Sequence, residues 1–243
     1  MRNCPPGHVP LERALSKLGL CSRSEARRLV AAGRVRVAGT VASNALMPVR
    51  PEDGTISIDG DTASAGAKRY LALNKPRGLV CTTSDERGRD TVYSCFADSE
   101  LPWLAPVGRL DKASEGLLLF SNDTRWADAV LQPSGPAKVY HVHIEAQADD
   151  ALVASLEAGH DCEGEHLSVH RAAILRHSQR RSWLELELHG GRNRHIRRLL
   201  AAHNIAVRRL MRVSIGPLAL GELGKGAWRE LSASEAASLA QTS

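Results

Sequence analysis

The sequence predicts an α+β protein: a small helical-hairpin domain followed by a domain on a mixed, largely antiparallel sheet. Near the start, apolar residues recur at helical spacing in two short segments. Beyond residue 70, most segments alternate apolar and polar residues as strands do, and few helices intervene. The 243 residues are 43% hydrophobic and 24% charged. This ordinary globular composition excludes wholesale disorder and a collagen-like chain.

Residues 9–60 form the predicted N-terminal domain. Leu11, Leu15 and Leu18 make one stripe of a short helix, and Gly19 ends it. After this helix, VRVAGTVAS predicts a hairpin that turns at its Ala-Gly pair, and ISIDG predicts a further strand.

A second helix is predicted to begin at a capping box made by Ser22 and Glu25. One side of this helix is apolar and ends near Gly33, whereas the other side is basic. The basic side carries Arg23, Arg27 and Arg28. With a polyanion such as RNA as the partner, we expect these three arginines to contact its phosphates.

The small polar residues 61–69 predict a linker, and residues 70–236 predict the larger domain. Its predicted strands are YLALNK, VGRLD, GLLLFS, KVYHVHI and LELELHG. Helices are predicted over 148–158 and about 193–203. A last strand follows, with Val207, Met211, Val213 and Ile215 on one face, and the tail SASEAASLAQTS is expected to fray.

Positive charge is concentrated in two segments. Residues 1–60 hold nine Lys and Arg against five acids, and residues 189–212 hold seven Arg and no acid. The net charge of +5 therefore understates two basic patches on an otherwise acidic protein. Such patches indicate a polyanionic partner, most simply a nucleic acid.

The expected compartment is the cytoplasm. No stretch approaches the ~18 apolar residues of a membrane helix, and the first residues lack the apolar core of a signal peptide. Five scattered cysteines form no C-x-x-C pair, which favours reduced thiols over disulfides or a zinc site. We expect no membrane partner and no metal.

The segment VGRLDKASEGLLLFSND carries the most chemistry. Asp111 stands beside Arg109 where a predicted strand ends, so it is a candidate carboxylate kept ionised by nearby cations. From local chemistry alone, a turn aspartate that caps the following loop is the favoured interpretation.

This segment resembles the catalytic motif of pseudouridine synthases, in the RsuA-like branch that modifies ribosomal RNA. YLALNKPRGLVCTTSDERGRDTV, KVYHVHI and the segment from GGRNRHIRRLL to AWREL resemble further parts of the family. The first sixty residues resemble the RNA-binding domain named for ribosomal protein S-four. The resemblance covers about residues 9–236 in the family's order and implies a catalytic domain of pseudouridine synthase type.

The resemblance implies a reaction and the residues for it. Asp111 matches the family's catalytic aspartate, either a nucleophile or a base. Arg109 matches the arginine that fills the space left by the flipped base; a phosphate contact or a solvated side chain is its alternative. Tyr140 matches the tyrosine that packs against the target uracil; plain core packing is its alternative.

The basic C-terminal segment divides into two expected roles. Arg197 matches the residue that pairs with the aspartate and would keep Asp111 ionised. Arg194 and Arg198 are expected to meet RNA phosphates. His195 stands where the family usually has Gln, so any contact specific to that amide is in doubt.

The implied activity is the isomerisation of a specific uridine, which neither oxidises nor hydrolyses anything, so no cofactor is expected. The expected partner is RNA, foremost ribosomal RNA or a ribosomal subunit precursor, bound by a monomer. The alternative is a non-catalytic RNA-binding or ribosome-assembly factor on the same scaffold. A nucleoside hydrolase is less favoured, because the motif segments lack a second cooperating acid.

Overall fold

The computed structural model describes residues 4–83 and 87–241. Residues 84–86, part of the segment that resembles the family's opening strand and loop, lie outside the described residues. The α-helices within the described ranges are α1 Leu11–Lys17, α2 Arg23–Ala31, α3 Thr124–Leu131, α4 Asp150–Ala158, α5 His195–Ala202 and α6 Ala233–Ala240.

The strands of the described ranges are short in the first part of the chain and long in the second. They are β1 Val9–Pro10, β2 Val35–Val37, β3 Thr40–Val41, β4 Pro48–Val49, β5 Ile56–Ile58, β6 Asp61–Thr62, β7 Tyr70–Lys75, β8 Ala105–Val107, β9 Glu115–Ser121, β10 Lys138–Ile144, β11 His160–Cys162, β12 Glu165–Leu167, β13 Arg171–Ser178, β14 Arg181–Leu188, β15 Val207–Ile215, β16 Leu218–Ala219 and β17 Trp228–Glu230.

The chain divides into two compact units. The first comprises residues 4–70 with Phe96–Ala105 and Phe120–Thr124. In it, α1 and α2 pack on the four-stranded sheet β3-β2-β5-β6, and β1 pairs with β4. Strand β6 pairs with β5, and Ala63 is buried in this core, so the N-terminal fold extends into the predicted linker.

Both predicted N-terminal helices are present, and the hairpin turns at Ala38 and Gly39, which have positive φ. The capping box is only half formed. The Ser22 hydroxyl accepts a hydrogen bond from the Glu25 amide at 3.0 Å, but the Glu25 carboxylate lies 3.4 Å from the Arg28 guanidinium instead of closing the box. An exposed arginine one helical turn away competes for the carboxylate.

The second unit is built on a sheet of order β13-β14-β10-β15-β9-β7-β17. β10 pairs antiparallel with β14 and β15, whereas β15 pairs parallel with β9. The predicted mixed, largely antiparallel sheet is thus confirmed. In β14, Leu184, Leu186 and Leu188 are buried as predicted, in a core that includes Ile196, Leu199 and Leu200 from α5.

Two predictions about the C-terminal part were wrong. In β15 the buried side chains are Leu210, Arg212 and Ile215, because irregularities in its pairing with β10 change which face points inward. The described part of the tail is helical, since α6 begins at a complete capping box between Ser232 and Glu235. Ala236 and Leu239 of this helix are buried.

No helix among the described residues is both long enough and apolar enough to cross a membrane.

Candidate active site

Asp111 lies in the loop that connects β8 to β9. The strand predicted to run through VGRLD ends at Val107, because Gly108 turns the chain at a φ of +77° that suits glycine. The Ser114 amide then donates to the Asp111 carbonyl at 3.0 Å, which closes a tight turn. The side chain of Asp111 is 35% exposed, so it can meet a ligand without leaving the loop.

A buried lysine stabilises this loop through hydrogen bonds to its backbone. The ammonium of Lys75, at the end of β7, donates to the carbonyl oxygens of Asp111 at 3.2 Å and Ser114 at 2.8 Å. Its third bond goes to the Pro76 carbonyl at 3.1 Å, and burial lowers the pKa of Lys75. Lys75 therefore fixes the backbone that presents Asp111. Lys75 was not among the predicted site residues, although a lysine at the inner end of an apolar strand was the available signal.

Two arginines approach the same oxygen of Asp111. Arg197 Nε lies 4.0 Å from Oδ2, and Arg194 Nη1 lies 3.9 Å from it. Arg197 is 12% exposed and also donates to the Ala113 carbonyl at 3.1 Å. Burial and the neighbouring Arg194 lower the pKa of Arg197, whereas Asp111 raises it. The predicted approach of Arg197 to Asp111 is thus present.

Arg194 and Arg198 differ from their expected places. Arg194 is not on the helix but precedes it, with a φ of +47°, which turns its guanidinium toward Asp111. Arg198 is held by protein: it donates to Glu165 and to the Cys162 carbonyl, both at 2.6 Å. The β11–β12 hairpin thus engages the Arg198 guanidinium, which argues against the expected phosphate contact.

An inner cavity of about 180 Å³ opens beside Asp111. The half-buried ring of Tyr140 lines this cavity, together with apolar side chains such as Ile196 and Leu210. Ser114 and Arg212 supply polar atoms. The site combines a carboxylate, an aromatic ring and an apolar wall in a space of small-ligand size.

A wider cleft of about 680 Å³ shares Asp111 with the inner cavity. Exposed Arg109 lines both spaces. The cations around the cleft are Arg87, Arg89, Arg109, Lys112, Arg192 and Arg194. Arg87, Arg89 and Arg192 were missed in the sequence, where the ERGRD segment and the start of the arginine-rich run were the signals.

Comparison with known proteins identifies the family to which this chain belongs. The profile of the RNA pseudouridylate synthase family matches residues 69–202, more than half of the chain. The chain belongs to this family. The profile of the S4 domain matches residues 9–54.

Relatives of this RNA pseudouridine synthase match along most of its length. An RNA pseudouridine synthase of Aquifex aeolicus (strain VF5) is 35% identical, over 95% of this chain and 93% of the relative. A ribosomal large subunit pseudouridine synthase B of Haemophilus influenzae is 33% identical, over 91% of this chain and 64% of the relative. A crystal structure of a pseudouridylate synthase superposes with a TM-score of 0.67 at 25% identity, over 95% and 99% of the two chains.

The synthase carries a half-buried histidine where the family usually has Gln. His195 Nε2 lies 2.9 Å from the Ser168 carbonyl and donates to it, and burial lowers the pKa of His195. The ring therefore favours its neutral form and serves as a neutral donor.

The three arginines of the S4 domain are exposed, but they are not equivalent. Arg27 forms an ion pair with buried Glu12, and its hydrogen bond lowers the pKa of that carboxyl. Arg28 contacts Glu25. Among the described residues Arg23 makes no hydrogen bond or ion pair, so it alone of the three keeps all its donors for RNA.

One histidine cluster of the synthase offers metal-ligand chemistry. Ligand atoms of His170, Glu187 and His189 lie within 4.8 Å of one another. The cluster is largely exposed, and Arg171 lies 3.7 Å from the Glu187 carboxylate and competes for it. Two other histidines, on β10, are engaged by neighbouring side chains: His141 lies 3.2 Å from Glu185, and His143 stacks on Trp183.

Proposed function

We propose that this synthase converts a specific uridine of ribosomal RNA to pseudouridine, with Asp111 as the reacting carboxylate. The observation that carries the proposal is the placement of Asp111. It stands within 4.0 Å of two guanidinium groups, at the junction of a small cavity and a wide basic cleft. The two guanidinium groups place positive charge beside the carboxylate oxygen that would react.

The reaction moves the uracil from a nitrogen link to a carbon link. The bond between N1 and the anomeric carbon C1′ breaks, C5 bonds to C1′, the C5 proton goes to solvent and N1 takes up a proton. Asp111 either attacks C1′ and is later displaced, or removes the proton of the neighbouring sugar carbon and returns it when C5 bonds to C1′. Both routes need an ionised carboxylate beside the sugar, and neither consumes a redox cofactor.

The two spaces suit a base that has left its stack. A stacked uridine presents its sugar out of reach, so the enzyme must extrude it. We propose that the base enters the inner cavity and packs against Tyr140, while the strand follows the basic cleft. Arg109, exposed between the two spaces, would fill the gap left by the base.

Ribosomal RNA is the proposed substrate class for two reasons. An S4 domain precedes the catalytic domain, and relatives carry names that assign them to the large ribosomal subunit. We propose that the two predicted domains, residues 9–60 and 70–236, act as a monomer in the cytoplasm, with Asp61–Thr62 and Ala63 extending the first of them. The free thiols of all five cysteines are consistent with a reducing compartment.

Mapping pseudouridine in ribosomal RNA tests this proposal. We expect one position to lose pseudouridine in cells that lack the gene and to regain it when the wild-type gene is restored. The Asp111→Asn gene should not restore it. An unchanged map with a change in transfer RNA would refute the ribosomal assignment, and restoration by the variant would support a non-catalytic assembly role.

A further inference from the structure

Two buried cations, neither of them paired with an acid in the described part of the chain, line the inner cavity. Lys138 at the start of β10 is 6% exposed, and Arg212 on the adjacent β15 is 4% exposed. Across the described ranges, neither has a carboxylate within ion-pair distance. Burying one unpaired charge is costly, and burying two neighbours is more so, because each also repels the other.

The donors of these two side chains are incompletely used. Arg212 Nε donates to the Leu117 carbonyl at 2.7 Å, and Nη1 lies 3.5 Å from the Tyr140 hydroxyl. Arg212 Nη2 is buried without a hydrogen-bond partner. Lys138 makes one bond, to the Pro136 carbonyl at 3.0 Å. Buried donors are almost always paired, so this arrangement lacks an acceptor that a ligand would bring.

We propose that Arg212 and Lys138 bind the carbonyl oxygens of the flipped uracil and stabilise its negative charge when it detaches. The inference rests on the proposed function. When the bond from N1 to C1′ breaks, its electron pair stays on the uracil and spreads over N1 and the two carbonyl oxygens. This holds whether Asp111 acts as nucleophile or as base. Fixed cations at that point lower the barrier because the charge develops there.

The alternative acceptor, a backbone phosphate, fits less well. The inner cavity is about 180 Å³ and has apolar walls and a tyrosine, which suit a flat ring. The wider cleft of about 680 Å³ already offers exposed cations such as Arg109 and Arg192 for the strand. A charged phosphate would gain no stabilisation from packing against the aromatic and aliphatic wall.

Single-turnover release of tritium from RNA labelled at uracil C5 tests the proposal. Arg212→Lys keeps a charge but loses the second donor arm, and we expect the rate at saturating RNA to fall about 100-fold. Lys138→Met should fall about tenfold. RNA affinity should stay within about twofold of wild type in both. Arg208→Lys is the control, because Arg208 is exposed on the same strand and paired with Glu145; it should keep the wild-type rate.

Three outcomes separate the claims. If Arg212→Lys recovers at high RNA concentration, the acceptor is a phosphate and the proposal is wrong. A wild-type rate in Lys138→Met, which loses a buried charge and should fold well, would also overturn it. Asp111→Asn, assayed on the same RNA, reports on the proposed function separately, since it must be inactive whatever Arg212 and Lys138 do.

Discussion

Gly116 lies against the backbone of Arg212 where β9 and β15 run parallel. A Cβ on Gly116 would come within 2.3 Å of the Arg212 carbonyl oxygen, and the φ of Gly116 is +100°. Only glycine fits such an approach at such a φ. The contact joins the strand that leaves the Asp111 loop to the strand that carries the buried arginine, so both sides of the cavity depend on it.

We expect Gly116→Ala to destabilise the protein by about 3 kcal/mol or more, through strain and a clash with backbone. Thermal or denaturant unfolding measures the change. Gly66→Ala is the matched control, because nothing lies within 4 Å of a Cβ there and its φ is not in the positive range. A stability of Gly116→Ala equal to that of the control would contradict the close approach.

Arg197→Met should slow the single-turnover rate at saturating RNA by about tenfold or more, because the charge beside Asp111 and the hydrogen bond to the Ala113 carbonyl are both lost. A loss that persists at saturating RNA separates a role at the reacting carboxylate from a role in RNA binding. Arg194→Met should act in the same direction but less, because Arg194 is 54% exposed and its charge is screened by solvent.

Arg198→Met serves as the control for that experiment. Its donors go to Glu165 and Cys162, so we expect a lower melting temperature and a wild-type rate at saturating RNA. If Arg197→Met also keeps the wild-type rate, then Arg197 does not act through Asp111.

In the S4 domain, Arg23→Ala should weaken RNA binding and reduce the salt dependence of the affinity by about 0.7 in slope, the value for one phosphate contact on a single strand. Arg27→Ala should instead lower the melting temperature, since buried Glu12 loses its partner. This loss should show at neutral pH and fade in acid, because the ion pair needs the ionised carboxyl, whose pKa is already lowered. Salt titrations and melts that give the same pattern for both variants would contradict this division.

Lys138→Met should stabilise the free protein by up to about 3 kcal/mol at pH 7. Burial, with Arg212 nearby, lowers the pKa of Lys138 to about 8 from an ordinary 10.5. Between pH 8 and 10.5 the unfolded chain holds a proton on Lys138 that the folded chain has released. The free energy of unfolding of the wild type therefore rises with pH relative to that of the variant. The difference in unfolding free energy should therefore shrink as pH rises from 8 to 10.5. A constant difference would contradict a protonated, buried lysine at pH 7.

The parts of the fold that follow from local pattern could be predicted from sequence. The alternation of Leu184, Leu186 and Leu188 and the spacing of Ile196, Leu199 and Leu200 each report one buried face directly. The buried face of β15 could not be read in this way, because irregularities in its pairing with β10 are a property of two strands. The α6 helix was missed although Ser232 and Glu235 carried its capping signal.

In the candidate site too, residues within a sequence motif could be predicted, whereas contacts between distant segments could not. Asp111, Tyr140 and Arg197 were found because motif resemblance names them. The partners of Arg198 on the β11–β12 hairpin could not be predicted, because spacing on a helix does not show what packs against it. Lys75 and Arg212 were missed for a similar reason, since a buried cation is recognised only from the backbone carbonyls around it.

The central claim is that Asp111 reacts with the uridine, and the most direct measurement is the single-turnover rate of Asp111→Asn on C5-tritiated RNA. Asparagine keeps the shape of the side chain but is neither a nucleophile nor a base here. We expect the rate to fall by at least about 1,000-fold, while RNA affinity and melting temperature stay near those of the wild type. A rate within about tenfold of the wild type would remove Asp111 from the reaction and contradict the account.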